Sequence, residues 1–244
     1  MRRLDSSRLA LLAVLLCAQA CNAQETQPPV DARSERAEPR VRPDVNAAYL
    51  DPSLDVERLA RGFASEGREA FAARDAVTRA LTIEPGMAVA DIGAGTGIYL
   101  EPFADAVGPD GTVYAIDIAQ PLVDYLDAYA RERGLDNVEP VLGETATTTL
   151  PDASVDLVFT SDVYHHFERP RAMNAHLFDV LRPGGTYAIL DFRTDEDAPR
   201  WIRDHVRTDM ATVIAEVTAA GFVFAREVPV RGLQENYLLL FERP

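Results

Sequence analysis

Two cysteines, Cys17 and Cys21, are all that 244 residues contain. Both precede the globular part of the chain, and Cys17 lies inside a stretch that reads as a removable leader. The mature chain therefore has no internal disulfide, and zinc-thiolate sites and cysteine nucleophiles are excluded. Positive charge is scarce too: 24 Lys and Arg stand against 39 Asp and Glu, a formal net charge of -15. A nucleic-acid partner would have to overcome that repulsion, and no basic cluster marks a groove for one, so no nucleic acid is expected. Long apolar runs are missing as well. The run over residues 9–17 is too short to span a bilayer as a mature helix. What is present is 47% hydrophobic content, enough for one core in a domain of roughly 200 residues with a tail.

The tail has its own organisation. Met1-Arg-Arg opens it with positive charge, the apolar run follows, and Ala18-Gln-Ala20 forms a small-x-small cleavage site, so residues 1–20 read as an export signal peptide. Cys21 directly follows, and the segment resembles a bacterial lipoprotein signal whose cysteine is lipidated. Gln19 departs from the residue usual there, which leaves ordinary cleavage near Ala20 or Ala23 open. The chain is accordingly expected in the periplasm, free or attached to a membrane through lipidated Cys21. Residues 21–50, with Pro28, Pro29, Pro39 and Pro43 among polar residues, have little to bury and are expected to form a disordered tether. The domain itself is expected over residues 51–244.

That domain is organised around Val89-Ala-Asp-Ile-Gly-Ala-Gly-Thr-Gly97. An apolar strand that breaks into glycines and then a helical pattern brings backbone close to a nucleotide-like ligand. Gly93, Gly95 and Gly97 read G-x-G-x-G. A dinucleotide fingerprint would need glycine where Ile98 stands, and a Walker loop would need a lysine that this run lacks. Asp91, at the strand end, can accept hydrogen bonds from a cationic or amino-bearing ligand. About twenty residues after the glycines, Asp117 ends the next strand, where a carboxylate can accept both hydroxyls of a ribose. Ile118 beside it can pack on an adenine.

Together these features resemble the class I S-adenosylmethionine-dependent methyltransferases. The resemblance implies S-adenosylmethionine as methyl donor, held by Asp91, Gly93, Gly95, Gly97, Asp117 and Ile118, with Glu144 near the adenine amino group and Ser161 at the end of strand four. It also implies an α/β fold, a doubly wound, Rossmann-like seven-stranded sheet of order 3-2-1-4-5-7-6 preceded by N-terminal helices. Hydrophobic periodicity agrees. It places two helices over residues 54–81 and strands near residues 87–92, 112–118, 138–142, 156–160 and 186–191, with a closing pair near 222–228 and 237–241. Pro140 puts strand three at an edge. Tyr125 and Tyr129 are expected in the core, and Arg68 and Arg74 as solvated helix charges.

Chemistry is expected from Ser161-Asp-Val-Tyr-His-His-Phe167, just past a central strand. Histidine titrates near neutrality and can take a proton as a methyl group arrives. The run resembles the Asp-x-x-His-His-Phe segment of a methyltransferase subgroup that includes quinone-biosynthesis enzymes, and Tyr164, His165 and His166 are the catalytic candidates. In that subgroup one histidine is often structural, a role that stays open for His166. Asp191 ends strand five and could face a substrate. Trp201 and His205 would share a helix face suited to an aromatic or anionic substrate, or to packing. No metal site is assigned, although a metal-assisted variant would draw on Asp162, Asp191 and a histidine. The expected function is methyl transfer to a small-molecule acceptor, the alternative a non-catalytic S-adenosylmethionine-binding sensor or scaffold of the cell envelope.

Overall fold

The computed structural model describes residues 41–244. The signal peptide, Cys21 and most of the expected tether lie outside the described residues. Residues 41–50, also expected in the tether, instead form turns held to the domain: the Val41 N–H donates to the Glu168 carbonyl, and Asn46 is buried.

Seven strands form one sheet in the order β3-β2-β1-β4-β5-β7-β6. They are β1 (Ala88–Ile92), β2 (Thr112–Asp117), β3 (Val138–Leu142), β4 (Val155–Ser161), β5 (Leu181–Phe192), β6 (Val223–Glu227) and β7 (Asn236–Glu242). The first five are parallel, and β7 runs antiparallel between β5 and β6. This is the Rossmann-like order the resemblance implies. Pro140 sits in β3 at the sheet's edge, where its missing N–H interrupts nothing on the outer side.

Side chains alternate across the central strands and bury on both faces, which is why those strands read as continuous apolar runs. Val89, Phe159 and Leu190 pack on one face with Val77, Leu100, Phe103 and Leu126. These last come from α3 (Arg74–Ala80), α4 (Leu100–Val107) and α5 (Gln120–Arg133). Ala90, Ile92, Val158 and Ile189 pack on the other face with Met173, Leu177, Val213 and Val217, from α6 (Pro170–Val180) and α8 (Met210–Ala219).

The region before β1 contains three short helices rather than two: α1 (Val56–Phe63), α2 (Glu69–Ala72) and α3. Asp55 caps α1 by accepting the Arg58 N–H at 2.9 Å, and the turns around Gly67 and Ala73 divide the rest. Tyr125 and Tyr129 are half-buried rather than core, with the Tyr129 hydroxyl spent on the Glu101 carboxylate at 2.9 Å. β5 begins at Leu181, and Arg182-Pro-Gly-Gly185 bulges from its entrance: Leu181 pairs with Val155 and the next paired residue is Thr186, opposite Leu157. A short helix, α7 (Arg200–His205), follows β5 and lies near the strands' carboxyl ends through Phe192, whose ring meets Trp201 edge-on.

Candidate active site

Neighbouring parallel strands deliver four buried aspartates to one edge of the sheet: Asp117 from β2, Asp91 from β1, Asp162 immediately after β4, and Asp191 from β5. A buried carboxylate must be partnered or it will hold its proton. Asp117 accepts the Gly95 N–H on Oδ2 and the Ala119 N–H on Oδ1, each at 3.0 Å. Asp162 takes Arg68 Nη2 at 2.6 Å and Asn236 Nδ2 at 2.7 Å. Asp191 faces the His165 Nδ1 at 2.7 Å and accepts the His165 and Phe192 backbone N–H groups.

Asp91 differs from the other three. No group among the described residues hydrogen-bonds its carboxylate, and burial, reinforced by the Asp117 charge, raises its pKa to about 7. Burial also raises the pKa of Asp117 and Asp162, against the backbone donors at the former and Arg68 at the latter.

The glycine loop is sewn to the end of β2. The Gly93 and Ala94 N–H groups both donate to the Ile116 carbonyl, at 2.8 and 2.9 Å, and Gly95 reaches the next residue, Asp117. Gly93 has φ +70°, and a Cβ there would stand 2.6 Å from the Val163 side chain, so both conformation and space demand glycine. Gly97 works differently: its N–H donates to the Ala94 carbonyl, and a Cβ would strike Leu100 and Leu126. It lets the loop pack on the core and lies outside the cavity lining. The helix after the loop starts at Leu100.

Beneath the loop lies an open cavity. Asp91, Gly93, Gly95, Asp117, Ile118, Glu144 and Ser161 all line it. Glu144 is exposed, at the rim. The opposite wall comes from the region before β1: Asn46, Tyr49, Phe63 and Arg68. Arg68 is therefore not a solvated helix charge, since its guanidinium lies over the Phe63 ring and bonds Asp162.

The three catalytic candidates separate. Tyr164 is fully buried away from the cavity, its hydroxyl donating to Glu216 at 2.8 Å and accepting from Asn174 at 2.9 Å. His165 is buried on Asp191 and does not line the cavity. His166 does line it, with Nδ1 3.1 Å from Asn46 Oδ1. Burial, then the neighbouring His165 and His205, lowers the His166 pKa to about 3. His205 arrives from α7 with Nε2 3.3 Å from His166 Nε2. Asp191 is turned onto His165 instead of a substrate. Trp201 is largely exposed, and Arg207 is bound to Glu216.

Residues 89–185 match the methyltransferase domain family. The match begins in β1 and ends in β5, so it spans the glycine loop, Asp117 and the paired histidines. Over 136 residues the chain is 39% identical to nocamycin O-methyltransferase of Saccharothrix syringae, covering 54% of this chain and 48% of that protein. It is 34% identical over 148 residues to aklanonic acid methyltransferase DauC of a Streptomyces species, covering 59% and 63%. The chain thus spans only about half to two thirds of the length of these relatives. A crystal structure of a SAM-dependent methyltransferase from Aquifex aeolicus superposes with TM-score 0.68 at 26% identity, over 77% of this chain and 97% of that one. The fold is that of the Rossmann-like methyltransferases.

Proposed function

We propose that this protein is an S-adenosylmethionine-dependent methyltransferase acting on a small-molecule acceptor. The observation that carries the reading is Asp91, a buried carboxylate without a hydrogen-bond partner among the described residues, in the same cavity as Asp117 and beneath a loop that admits only glycine at position 93. A site that leaves one carboxylate unpaired is built for a ligand that brings positive charge, as the amino group and sulfonium of this donor do. Asp117 keeps acceptor capacity for ribose hydroxyls after its two backbone bonds. Ile118 and Leu122 supply an apolar wall for a purine. The residues present therefore fit the donor.

When bound, S-adenosylmethionine supplies a methyl group already activated by its sulfonium. The protein's task is mainly to align an acceptor with that methyl group and exclude water. From Asp91 the cavity continues across β4 to Ser161, Asp162 and His166, and this is the end at which an acceptor would meet the methyl group. His166 stays neutral at ordinary pH, so it borders the acceptor without storing a proton. The nocamycin and aklanonic acid relatives support an acceptor of small-molecule class. A screen of candidate acceptors with methyl-labelled donor tests the reading. Label transferred to one acceptor class, and lost in Asp91→Asn, is the expected result; donor binding without transfer to any acceptor would favour a sensor or scaffold.

Export to the periplasm, by lipidated Cys21 or after simple cleavage, is part of the same proposal, supported by the charge, apolar run and small-x-small site of residues 1–20. Cell fractionation of the wild type, Cys21→Ser and a form lacking residues 1–20 tests it. An unchanged cell fraction for all three would refute it.

A further inference from the structure

Three of the chain's four histidines come together beside the acceptor end of the cavity, from two elements far apart in sequence. His165 and His166 occupy the 3-10 turn after β4, and His205 ends α7. One ring nitrogen from each lies within 4.8 Å of the other two.

Hydrogen bonding fixes the tautomers of the first two. The Asp191 carboxylate, 2.7 Å from His165 Nδ1, only accepts, so Nδ1 carries the proton and Nε2 a lone pair. The Asn46 amide is oriented by its nitrogen, which donates to the His166 carbonyl at 3.1 Å and to Glu168 Oε1 at 3.3 Å. Its oxygen must then face His166 Nδ1, which again places the proton on Nδ1 and the lone pair on Nε2. Two imidazoles therefore hold their Nε2 lone pairs ready, each backed by an acceptor on the far nitrogen. Metal-bound histidines are backed in the same way.

The spacing has the right scale. Ligand nitrogens about 2.0–2.1 Å from a tetrahedral ion stand about 3.3–3.4 Å apart, and His166 Nε2 and His205 Nε2 are 3.3 Å apart. Arg42 brings positive charge to the cluster by donating to the His205 carbonyl, and Asp191 behind His165 offsets it. His205 is half-exposed and His166 borders the cavity, so an ion has an access path and would keep a free side.

We propose that His165, His166 and His205 bind a divalent transition-metal ion of the zinc or cobalt class through their Nε2 atoms, leaving a fourth position open for an oxygen ligand. Three neutral imidazoles suit such an ion better than magnesium or calcium, which favour oxygen ligands. The site stands on the histidine geometry alone and does not depend on the methyl-transfer reading.

The test is titration of tag-free, chelator-treated full-length protein with zinc, and with cobalt followed by visible absorption. The wild type is expected to take up one equivalent of zinc, and its cobalt form to show the intense visible bands of a four-coordinate ion. His205→Ala, at a half-exposed position, should keep the wild-type melting temperature and bind zinc at least 100-fold more weakly. Asn46→Ala should lose on the order of 10-fold. Equal zinc binding by wild type and His205→Ala, or none by the wild type, would overturn the proposal. S-adenosylmethionine binding measured on the same metal-free preparation separates that outcome from a failure of the donor site.

Discussion

The Arg68 guanidinium meets the Asp162 carboxylate at 2.6 Å, joining the helices before the first strand to the end of β4. Asp162 is buried, and its backbone lies in the left-handed region with φ +54°. A side chain is held there by partners on both sides, Arg68 and Asn236. The cavity wall thus depends on an ion pair between segments 94 residues apart.

Arg68→Ala leaves the Asp162 charge buried without its cation. The expected loss is about 3 kcal/mol of folding stability, the lower end for breaking such a pair because Arg68 is partly exposed. Urea denaturation measures it. Adding Asp162→Asn to Arg68→Ala removes the orphaned charge and should restore part of the loss; a double variant no more stable than the single one would show that the pair does not carry the effect.

Asp117 has a structural duty beside the ligand role proposed for it, since it accepts the Gly95 and Ala119 N–H groups. Asp117→Ala should therefore weaken S-adenosylmethionine binding and also lower the melting temperature. Asp117→Asn keeps one carbonyl oxygen for the backbone and should lose affinity by about tenfold or more with a smaller thermal cost. Calorimetric affinity beside thermal melts for both variants distinguishes the two duties.

Asp91 makes stability and ligand binding depend on pH in opposite directions. Its folded pKa, about 7, lies above the unfolded carboxylate value, so the native state holds the extra proton. Stability falls as pH rises from about 4 to about 7 and levels off beyond. A cationic ligand favours the ionised form, so affinity for S-adenosylmethionine should climb across the same window and flatten above it. Binding isotherms from pH 5.5 to pH 7.5 should show that slope in the wild type and none from this source in Asp91→Asn.

Tyr164→Phe separates the structure from the motif. The hydroxyl joins Glu216 and Asn174 in the core, away from the cavity. Its removal should cost about 1–2 kcal/mol of stability and leave donor affinity unchanged. A donor affinity reduced tenfold in a variant that still melts as the wild type would place the hydroxyl in the site after all.

Much of the fold was legible because local patterns and tertiary burial agree. The apolar runs of the central strands, the three glycines and Pro140 each have a local cause that survives in the sheet. The convergence of Asp91, Gly93, Gly95, Asp117 and Ile118 on one cavity was legible for the same reason, since they sit at or just after strand ends that periodicity can locate. The facing wall was not, because Asn46 and Arg68 act through polar contacts made across 120 and 94 residues, and neither leaves a periodic trace. The run from Tyr164 to His166 shows a further limit. Sequence shows three polar rings in a row, but the tight turn sends Tyr164 into the core, His165 onto Asp191 and only His166 to the cavity. His205 completes the cluster from α7, a juxtaposition that spacing along the chain does not encode.

The central claim is that this cavity holds S-adenosylmethionine through Asp91 and Asp117. Isothermal titration of the wild type and Asp91→Asn at pH 7.5 tests it most directly. The account predicts a single site on the wild type and affinity at least tenfold weaker in the variant; no heat of binding to the wild type, or equal affinity for both proteins, would contradict it.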